Sequence, residues 1–312
     1  MIETHGRPVG SALRGWTLDL ERSLLVDLSL PIQIGEHEAT VTAFEHWRHE
    51  DGPRTLGRRA AFGGRSPLGR RLRRAWDYVT GGRRIDATSF PEGLFLGNEI
   101  LTLSVHAGCH LDAPFHYGPR CEGRPARRID EIPLEWCLGP GVLLRAVHRG
   151  RGEEVTVADL QAELTRIGHR IRPGEIVLLE TGADRHWPRP EYFFGHPGVS
   201  REAVEFLLDQ GVRVIGVDTP GFDPPPPTMI ERFYATGDPA HLWPCHLLGR
   251  EREYLQIERL ANLGSLPRQD GFLVSCLPVR IAGAGAAWIR AVAIVPQPAS
   301  GATPRTSPPG GQ

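Results

Sequence analysis

Residues 106–116 read HAGCHLDAPFH and place three histidines and one aspartate within eleven positions, at His106, His110, Asp112 and His116. Imidazole nitrogen and carboxylate oxygen together form the ligand set that Zn, Mn or Fe(II) accepts in proteins. A single loop histidine is more often held by structural hydrogen bonds alone. Three histidines and a carboxylate in one short segment instead favour a metal site.

The local structure of this segment follows from its glycine and its proline. His106 and His110 are four residues apart, the spacing that would place both side chains on one face of a helix. Gly108 and Pro114 disfavour a continuous helix, so we expect a strand that ends before them, a turn at Gly108 and a short extended run. Side chains alternate along an extended chain, which predicts that His110 and Asp112 point the same way.

Outside this segment the hydrophobic pattern switches between strand and helix periods. Apolar residues three or four apart after Thr156 and after Ser200 predict two capped helices, and a third, amphipathic helix is predicted near Leu68–Val79. The predicted strands are residues 23–29, 98–105, 141–147, 175–180, 212–217, 254–260, 272–281 and 288–295. No GxGxxG motif follows a strand, so the order predicts a single mixed-sheet α/β domain rather than a doubly wound sheet.

The composition excludes several chemistries. Among 312 residues there are 37 acidic and 36 basic side chains, and every basic one is arginine. Without lysine there is no Schiff base, no pyridoxal-phosphate anchor and no phosphate-loop lysine. The formal net charge of −1 gives no case for a nucleic-acid partner. We expect no signal peptide and no membrane span, and five cysteines without a CxxC pair predict free thiols and a cytoplasmic location.

Arginine is concentrated in one stretch, because residues 48–84 carry eleven arginines against three acids. We interpret the region of about 48–90 as a solvated insertion, with a phosphate-binding arm as the alternative. The predicted organisation is a lead-in over residues 1–22, one metalloenzyme domain over 23–295, and a disordered tail rich in proline and glycine over 296–312.

The pattern HxGxHxDxPxH in residues 106–116 resembles the signature of the cyclase superfamily, which includes bacterial kynurenine formamidases, isatin hydrolases and aromatic polyketide cyclases. The resemblance implies the swivelling β/α/β fold of the kynurenine formamidase type. The superfamily usually has threonine before its second histidine, where this chain has Cys109. Because the two side chains are similar in size, metal binding is expected to survive while a hydroxyl hydrogen bond is weakened. Cys109 as a soft competing ligand is the less favoured alternative.

The resemblance extends from about Leu24 to Val295 and includes a second segment. His246, followed twelve residues later by Glu258, is similar to the superfamily's catalytic histidine and its metal-binding glutamate. The resemblance implies that His246 moves protons as the general acid and base. It implies one Zn or Mn ion, or two, with the first ion held by His106, His110 and Asp112 and the second by Asp112, His116 and Glu258.

Two reactions are compatible with such a site. In a hydrolase of the arylformamidase (N-formylkynurenine) or isatin hydrolase type, water attacks an amide carbonyl beside an aromatic ring. In a polyketide cyclase, His246 removes a proton from a carbon next to a carbonyl, and an intramolecular aldol condensation and dehydration follow. The stretches 128–136, 181–185, 242–244 and 252–262 resemble the polyketide-cyclase branch, which favours ring closure of an aromatic polyketide in secondary metabolism.

The expected partner is therefore a small aromatic molecule, and the resemblance also implies a homo-oligomer. Four aromatic residues are candidates to line a pocket for a flat substrate, with a place in the core as the equal alternative: Trp187, Phe193, Phe194 and Trp243. A non-enzymatic scaffold that binds a partner through its arginines would be expected to have lost the metal-binding set, and the set is complete apart from Cys109 in place of the usual threonine.

Overall fold

The computed structural model describes residues 19–34, 38, 40–63, 67–82 and 84–297. Most of the expected lead-in and nearly all of the expected tail lie outside these residues, at 1–18 and 298–312. No helix within the described ranges combines the length and the apolar character that a membrane crossing needs.

The described residues form fifteen strands and eight α-helices, with short 3-10 turns between them. The strands are β1 Ser23–Asp27, β2 Val41–Trp47, β3 Asn98–Leu103, β4 His110–Asp112, β5 Arg120–Cys121, β6 Arg124–Pro125, β7 Leu138–Arg145, β8 Glu154–Val155, β9 Ile176–Glu180, β10 Gly198–Val199, β11 Val214–Val217, β12 Leu255–Glu258, β13 Phe272–Ser275, β14 Ala286–Trp288 and β15 Val292–Pro296. The helices are α1 Gly52–Phe62, α2 Leu68–Val79, α3 Pro114–Tyr117, α4 Val157–Ile167, α5 Pro190–Phe194, α6 Arg201–Asp209, α7 Pro226–Thr236 and α8 Pro244–Leu248.

Nine strands form one mixed sheet in the spatial order β1-β15-β13-β7-β9-β11-β12-β4-β14. The central strands β7, β9, β11 and β12 are parallel to their neighbours within this group, and the strands on both sides pair antiparallel. Parallel strands need a crossover connection, which α4 and α6 supply on the way from β7 to β9 and from β9 to β11. The predicted mixed-sheet α/β fold is confirmed.

The sheet is curled so strongly that its two ends come together. β14 is one edge strand and β15 is the second strand from the opposite edge, yet only residues 289–291 separate them along the chain. So few residues span at most about 14 Å, so the edges must be close. Ile289 N donates to Cys109 O over 3.1 Å, and Leu28 N donates to Ala291 O over 2.9 Å. The prediction of a single strand over 288–295 is therefore wrong, because the chain changes partners between the two edges.

Both faces of the central strands are covered. Leu143 and Leu178 belong to one buried apolar cluster, whereas their neighbours Val142 and Val177 belong to a second cluster on the other face, together with residues of α4 and α6. Side chains that alternate between two buried faces produce the continuous apolar runs typical of parallel sheets. β9 is accordingly buried at every position.

The helix-capping predictions are confirmed. Thr156 Oγ1 accepts a hydrogen bond from Asp159 N over 3.3 Å at the start of α4, and Ser200 Oγ accepts one from Ala203 N over 3.1 Å at the start of α6. α4 ends at Gly168 with a φ of 66°, a left-handed conformation that glycine adopts without steric cost.

The described residues form two compact units, one drawn from residues 19–40 and 104–297 and the other from Val41–Leu103. The second unit contains the antiparallel pair β2 and β3 and the helices α1 and α2, and α2 spans the residues predicted for the amphipathic helix. In the first unit, Ser104 N donates to Thr40 O over 2.7 Å. The two points at which the chain leaves and re-enters the first unit are therefore hydrogen-bonded to each other.

The five cysteines are buried and unpaired, which confirms the prediction of free thiols. Burial raises the pKa of Cys109 to about 12 and that of Cys121 to about 11. Reactivity requires the thiolate, so neither side chain is suited to nucleophilic chemistry.

Candidate metal centre

The site is built on the antiparallel pair β4 and β12. In this register His110 lies opposite Glu258, and Asp112 lies opposite Gln256. His110 and Asp112 are both fully buried and are two residues apart on one strand, so they share a face, as predicted. His110 Nε2 lies 3.3 Å from Glu258 Oε2 and 3.5 Å from Asp112 Oδ1.

The turn and the short helix on either side of β4 bring two further histidines to Asp112. Gly108 has a φ of 60°, and a Cβ atom built there would lie 2.6 Å from Ile32 Cγ1, so only glycine fits this turn. His106 Nδ1 lies 3.0 Å from Asp112 Oδ1. His116, on α3, places its Nε2 atom 3.6 Å from Asp112 Oδ2.

The ligand atoms fall into two groups that share Asp112, each within a span of 4.8 Å. One group is His106, Asp112 and His116, and the other is His110, Asp112 and Glu258. The five residues are those that the sequence indicated, but His110 and His116 exchange places relative to the expected sets. The reason is the strand register, because His110 is the direct cross-strand neighbour of Glu258 while α3 turns His116 back toward His106, with ring centroids 4.2 Å apart.

The residues present fit a divalent metal. Four buried polar atoms of this cluster have no hydrogen-bond partner among the described residues: His110 Nε2, Asp112 Oδ1, Asp112 Oδ2 and Glu258 Oε1. A buried polar atom without a partner costs about 1–3 kcal/mol, and a cation between these atoms would remove that cost. His110 Nδ1 donates to Gly108 O over 2.9 Å, which leaves the lone pair on Nε2, the nitrogen that faces the carboxylates.

The charge state of Asp112 suits the same role. Burial alone would raise its pKa, but the charges of His110, His116 and His106 outweigh that effect and hold the pKa of Asp112 well below its usual range. The carboxylate is therefore ionised, as a metal ligand must be.

His246 is held beside this cluster by an aspartate that the sequence reasoning did not identify. His246 Nδ1 lies 2.5 Å from Asp223 Oδ2, and Asp223 Oδ1 accepts from Cys245 N over 2.7 Å at the start of α8. Burial alone would lower the pKa of His246, but the hydrogen bond to Asp223 and the charge of that aspartate outweigh it and raise the pKa to about 9. The other ring nitrogen, Nε2, lies 3.7 Å from Glu258 Oε1 and so faces the metal ligands.

A pocket with a volume of about 390 Å³ opens over the cluster. Histidines 106, 110, 116 and 246 and Glu258 line its polar side, and the apolar lining includes Phe193, Phe194, Met229 and Trp243. Three of the four candidate aromatic residues therefore line the pocket. Trp187 does not belong to this lining and packs against Tyr192, with ring centroids 5.2 Å apart.

Three other lining residues were not identified from the sequence: His196, Arg259 and Glu38. His196 Nδ1 donates to Pro197 O over 2.9 Å, which leaves its Nε2 atom as an acceptor. His196 and Glu38 are single residues outside any motif, so the sequence carries no signal for them. Arg259 lies within the stretch 252–262 that resembles the polyketide-cyclase branch, but that resemblance gives it no role of its own. Cys109 belongs to an apolar core cluster and to neither of the two ligand groups.

A family model named Cyclase matches residues 26–224, which is more than half of the chain. The chain belongs to the Cyclase family. The predicted membership is thus confirmed, and the matched segment contains four of the five candidate metal ligands together with Asp223. Glu258 and His246 lie beyond it.

Solved structures similar to this Cyclase-family chain share its fold. An isatin hydrolase bound to the product analogue thioisatinate is 21% identical, with a TM-score of 0.60, over 89% of this chain and 94% of that one. Isatin hydrolase A from Ralstonia solanacearum is 23% identical, with a TM-score of 0.60, over 88% and 93%. A potential metal-dependent hydrolase with cyclase activity is 17% identical, with a TM-score of 0.51, over 88% and 100%.

Proposed function

We propose that this protein is a metal-dependent cyclase that closes a ring of an aromatic polyketide by intramolecular aldol condensation and dehydration. The observation that carries the proposal is the convergence of both ligand groups and His246 Nε2 on one pocket with aromatic and apolar walls. The ligands would be His106, His110, Asp112, His116 and Glu258, with Zn or Mn as the metal. When bound, the metal would polarise a substrate carbonyl and make the protons on the adjacent carbon more acidic.

The proton chemistry is assigned to His246. Because its Nδ1–H group is engaged by Asp223, Nε2 is the nitrogen that exchanges a proton with the substrate. Asp223 fixes the orientation of the ring and stabilises the imidazolium form, as the carboxylate does in other histidine–aspartate pairs. In the aldol reaction the neutral form of His246, which is populated above its raised pKa, takes a proton at Nε2 from the carbon next to the carbonyl and passes it to the alkoxide oxygen that forms with the new C–C bond. In the dehydration Nε2 takes a second proton from the same carbon and delivers it to the departing hydroxide, which leaves as water.

The pocket walls support an aromatic, flat substrate. Phe193, Phe194 and Trp243 offer ring surfaces, and Met229 offers an adaptable apolar contact. A volume of about 390 Å³ lies at the lower end of the range for pockets that hold drug-sized ligands.

No nucleic-acid partner is needed for this function. We also propose a homo-oligomer, which sedimentation would test.

The second candidate is a metal-dependent amide hydrolase of the arylformamidase or isatin hydrolase type. It is favoured by the fold similarity to two isatin hydrolases over 88–89% of this chain. Hydrolysis uses the same ligands and the same His246, but water must reach the carbonyl, whereas ring closure requires that water be excluded.

One parallel assay distinguishes the two. The protein, with its metal content measured, is incubated with N-formylkynurenine, with isatin and with a partly cyclised aromatic polyketide. Ring closure of the polyketide, without amide hydrolysis, is the expected result. Turnover of either amide at enzyme-like rates, with no effect on the polyketide, would reverse the ranking. A His246→Ala variant should retain metal and lose turnover in whichever reaction is found.

A further inference from the structure

Arg259 is a buried cation in the wall of the pocket. It follows the proposed ligand Glu258 directly, only 7% of its surface is exposed, and it lines the pocket. Its φ of 61° lies in the left-handed region that residues other than glycine rarely adopt. Its Nε atom is buried without a hydrogen-bond partner.

Glu38 is the one acid that pairs with Arg259 among the described residues. Arg259 Nη1 donates to Glu38 Oε2, and Glu38 is itself buried, with 5% of its surface exposed. The other Glu38 oxygen, Oε1, accepts from Thr40 N over 3.2 Å. Both members of the pair line the pocket.

Three unfavourable features coincide at Arg259: a buried charge, a left-handed backbone and an unpaired donor. A buried ion pair is often no more stable than apolar residues of the same volume, a left-handed non-glycine residue costs on the order of 1 kcal/mol, and an unpaired buried donor costs about 1–3 kcal/mol. Such features persist together mainly where function requires them. Fold stability therefore gives no reason for an arginine at this position.

We propose that Arg259 recognises an anionic oxygen of the substrate, such as a carboxylate or the enolate of a 1,3-dicarbonyl group, next to the carbonyl that reacts. This inference rests on the proposed function of the same pocket and narrows its substrate class to anions. Arginine stays charged at every pH at which the protein is folded, and its planar fork suits carboxylates and enolates. Among the described lining residues, Arg259 is the only arginine.

Glu38 keeps the pair neutral while no substrate is bound. Without it, a positive charge would stand buried and uncompensated, which is strongly unfavourable. An incoming anion competes with Glu38 for the same guanidinium. Removing the charge of Glu38 should therefore strengthen anion binding, whereas removing Arg259 should abolish the preference for an anion.

The test compares benzoate with benzamide, which have nearly the same shape but differ in charge. Binding of each is measured by isothermal titration calorimetry to the full chain with its metal, and again after chelation, because a metal ion also attracts carboxylates. The proteins are wild type, Arg259→Gln and Glu38→Gln, with metal content and melting temperature measured for all three.

Wild type should prefer benzoate by about tenfold, Arg259→Gln should lose that preference, and Glu38→Gln should increase it by a further factor of about five. If Arg259→Gln does not fold, the Glu38→Gln result alone decides. An unchanged preference for benzoate in Arg259→Gln, or no preference in wild type, would overturn the proposal. A weaker preference in Glu38→Gln would also overturn it, since a purely structural ion pair predicts that benzoate binding falls in both variants.

The binding measurement is independent of turnover, so the two proposals can fail separately. Charge-selective binding that depends on Arg259, with no turnover of polyketide or amide, would contradict the proposed reaction alone. Turnover without charge selectivity would contradict the role of Arg259 alone.

Discussion

Asp223 acts on the candidate centre only through His246. Its two carboxylate oxygens contact the ring nitrogen Nδ1 and the backbone N of Cys245, so one side chain both begins α8 and orients the histidine. An asparagine would keep the shape of Asp223 while losing its charge, and its amide could no longer ensure that Nδ1 carries the proton.

We predict that Asp223→Asn lowers kcat by about 100- to 10,000-fold while the bound metal stays unchanged, because Asp223 is not a ligand. Steady-state kinetics and metal analysis by mass spectrometry check this. An Asp184→Asn variant, which changes an acid that lies outside the pocket lining, should retain full activity. Loss of metal in Asp223→Asn would move this residue into the ligand set.

His110 has the opposite role, because its Nε2 atom is one of the buried atoms without a partner. We predict that His110→Ala removes most of the bound metal and the activity together, since it deletes a nitrogen ligand from the group that contains Glu258. The measurement is the metal-to-protein ratio after dialysis. His186→Ala, which changes an exposed histidine outside the centre, is the matched control, and an unchanged ratio in His110→Ala would contradict the ligand assignment.

At the scale of residues, the sequence predicts a functional role for residues that share a motif. It does not predict a role for isolated residues. His106, His110, Asp112 and His116 are close in sequence, so the sequence alone reveals the chemistry that they share. Asp223 and Arg259 acquire their roles only when the fold brings segments that are distant in sequence together, Asp223 beside His246 and Arg259 beside Glu38. No local pattern in the sequence predicts these contacts. Whether the five candidate ligands hold metal stays a prediction.

At the scale of elements, Glu163 links α4 to the end of β7 and to the loop before β13. The side chain accepts hydrogen bonds from Arg166 Nε over 2.6 Å, Gln269 Nε2 over 2.7 Å and Arg145 N over 3.2 Å. The bond from Arg166 has the largest effect, and these donors together lower the pKa of Glu163 to about 2, from an ordinary value of 4.5.

Because the pKa of Glu163 is lower in the folded protein than in the unfolded chain, the stability of the fold decreases as the pH falls. The ionised Glu163 stabilises the fold fully above about pH 4.5, and that contribution is lost as the pH falls toward 2. We predict that Glu163→Gln lowers the free energy of unfolding by about 2 kcal/mol at pH 7 and by clearly less at pH 3. Urea denaturation at both pH values measures this, with the exposed Glu231→Gln as control. An equal loss at both pH values would show that charge is not the cause.

The sequence predicts helices and strands well where a hydrophobic periodicity extends over many residues. It predicts them less well where a segment of the chain changes its partner strand. The helices after Thr156 and Ser200 are found as predicted, because their apolar stripes and caps are local. The helix Leu68–Val79 is found as predicted from its periodicity alone, since it has no side-chain cap. The strand predicted over 288–295 is broken in two, since the change of partner between the sheet edges depends on the curl of the whole sheet. Ile289 and Ala291 are buried on either side of the exposed Arg290, so the alternation typical of a strand continues through the break and periodicity cannot reveal it.

At the scale of the whole molecule, the hydrogen bond between Ser104 N and Thr40 O holds together the two residues that flank the unit Val41–Leu103. A short linker could therefore join them if that unit were deleted. We predict that replacing residues 41–103 with a three-residue Gly-Ser linker leaves the remaining unit folded and able to bind metal, because all candidate ligands, His246 and Asp223 lie in it. Circular dichroism melting and metal analysis check this, with the intact chain as reference. A deletion variant that stays unfolded in the presence of metal would contradict it.

The mixed-sheet fold and the family could be predicted from the sequence because one motif and an alternating series of elements sufficed. The division between the two units could not, since it depends on which distant residues come into contact. The boundaries expected at residues 23–295, with an insertion at about 48–90, stay predictions that the deletion variant addresses.

The burial of all five thiols protects them from alkylating reagents while the protein is folded. Alkylation of a given cysteine therefore reports that the structure around it has opened. Cys109 and Cys276 lie in the cluster inside the curled sheet, and Cys245 lies in the cluster that contains residues of α4 and α6. The mass added at each cysteine over time would thus show whether the two faces of the sheet open together or in sequence. With no lysine in the chain, amine-directed labels could not supply this record.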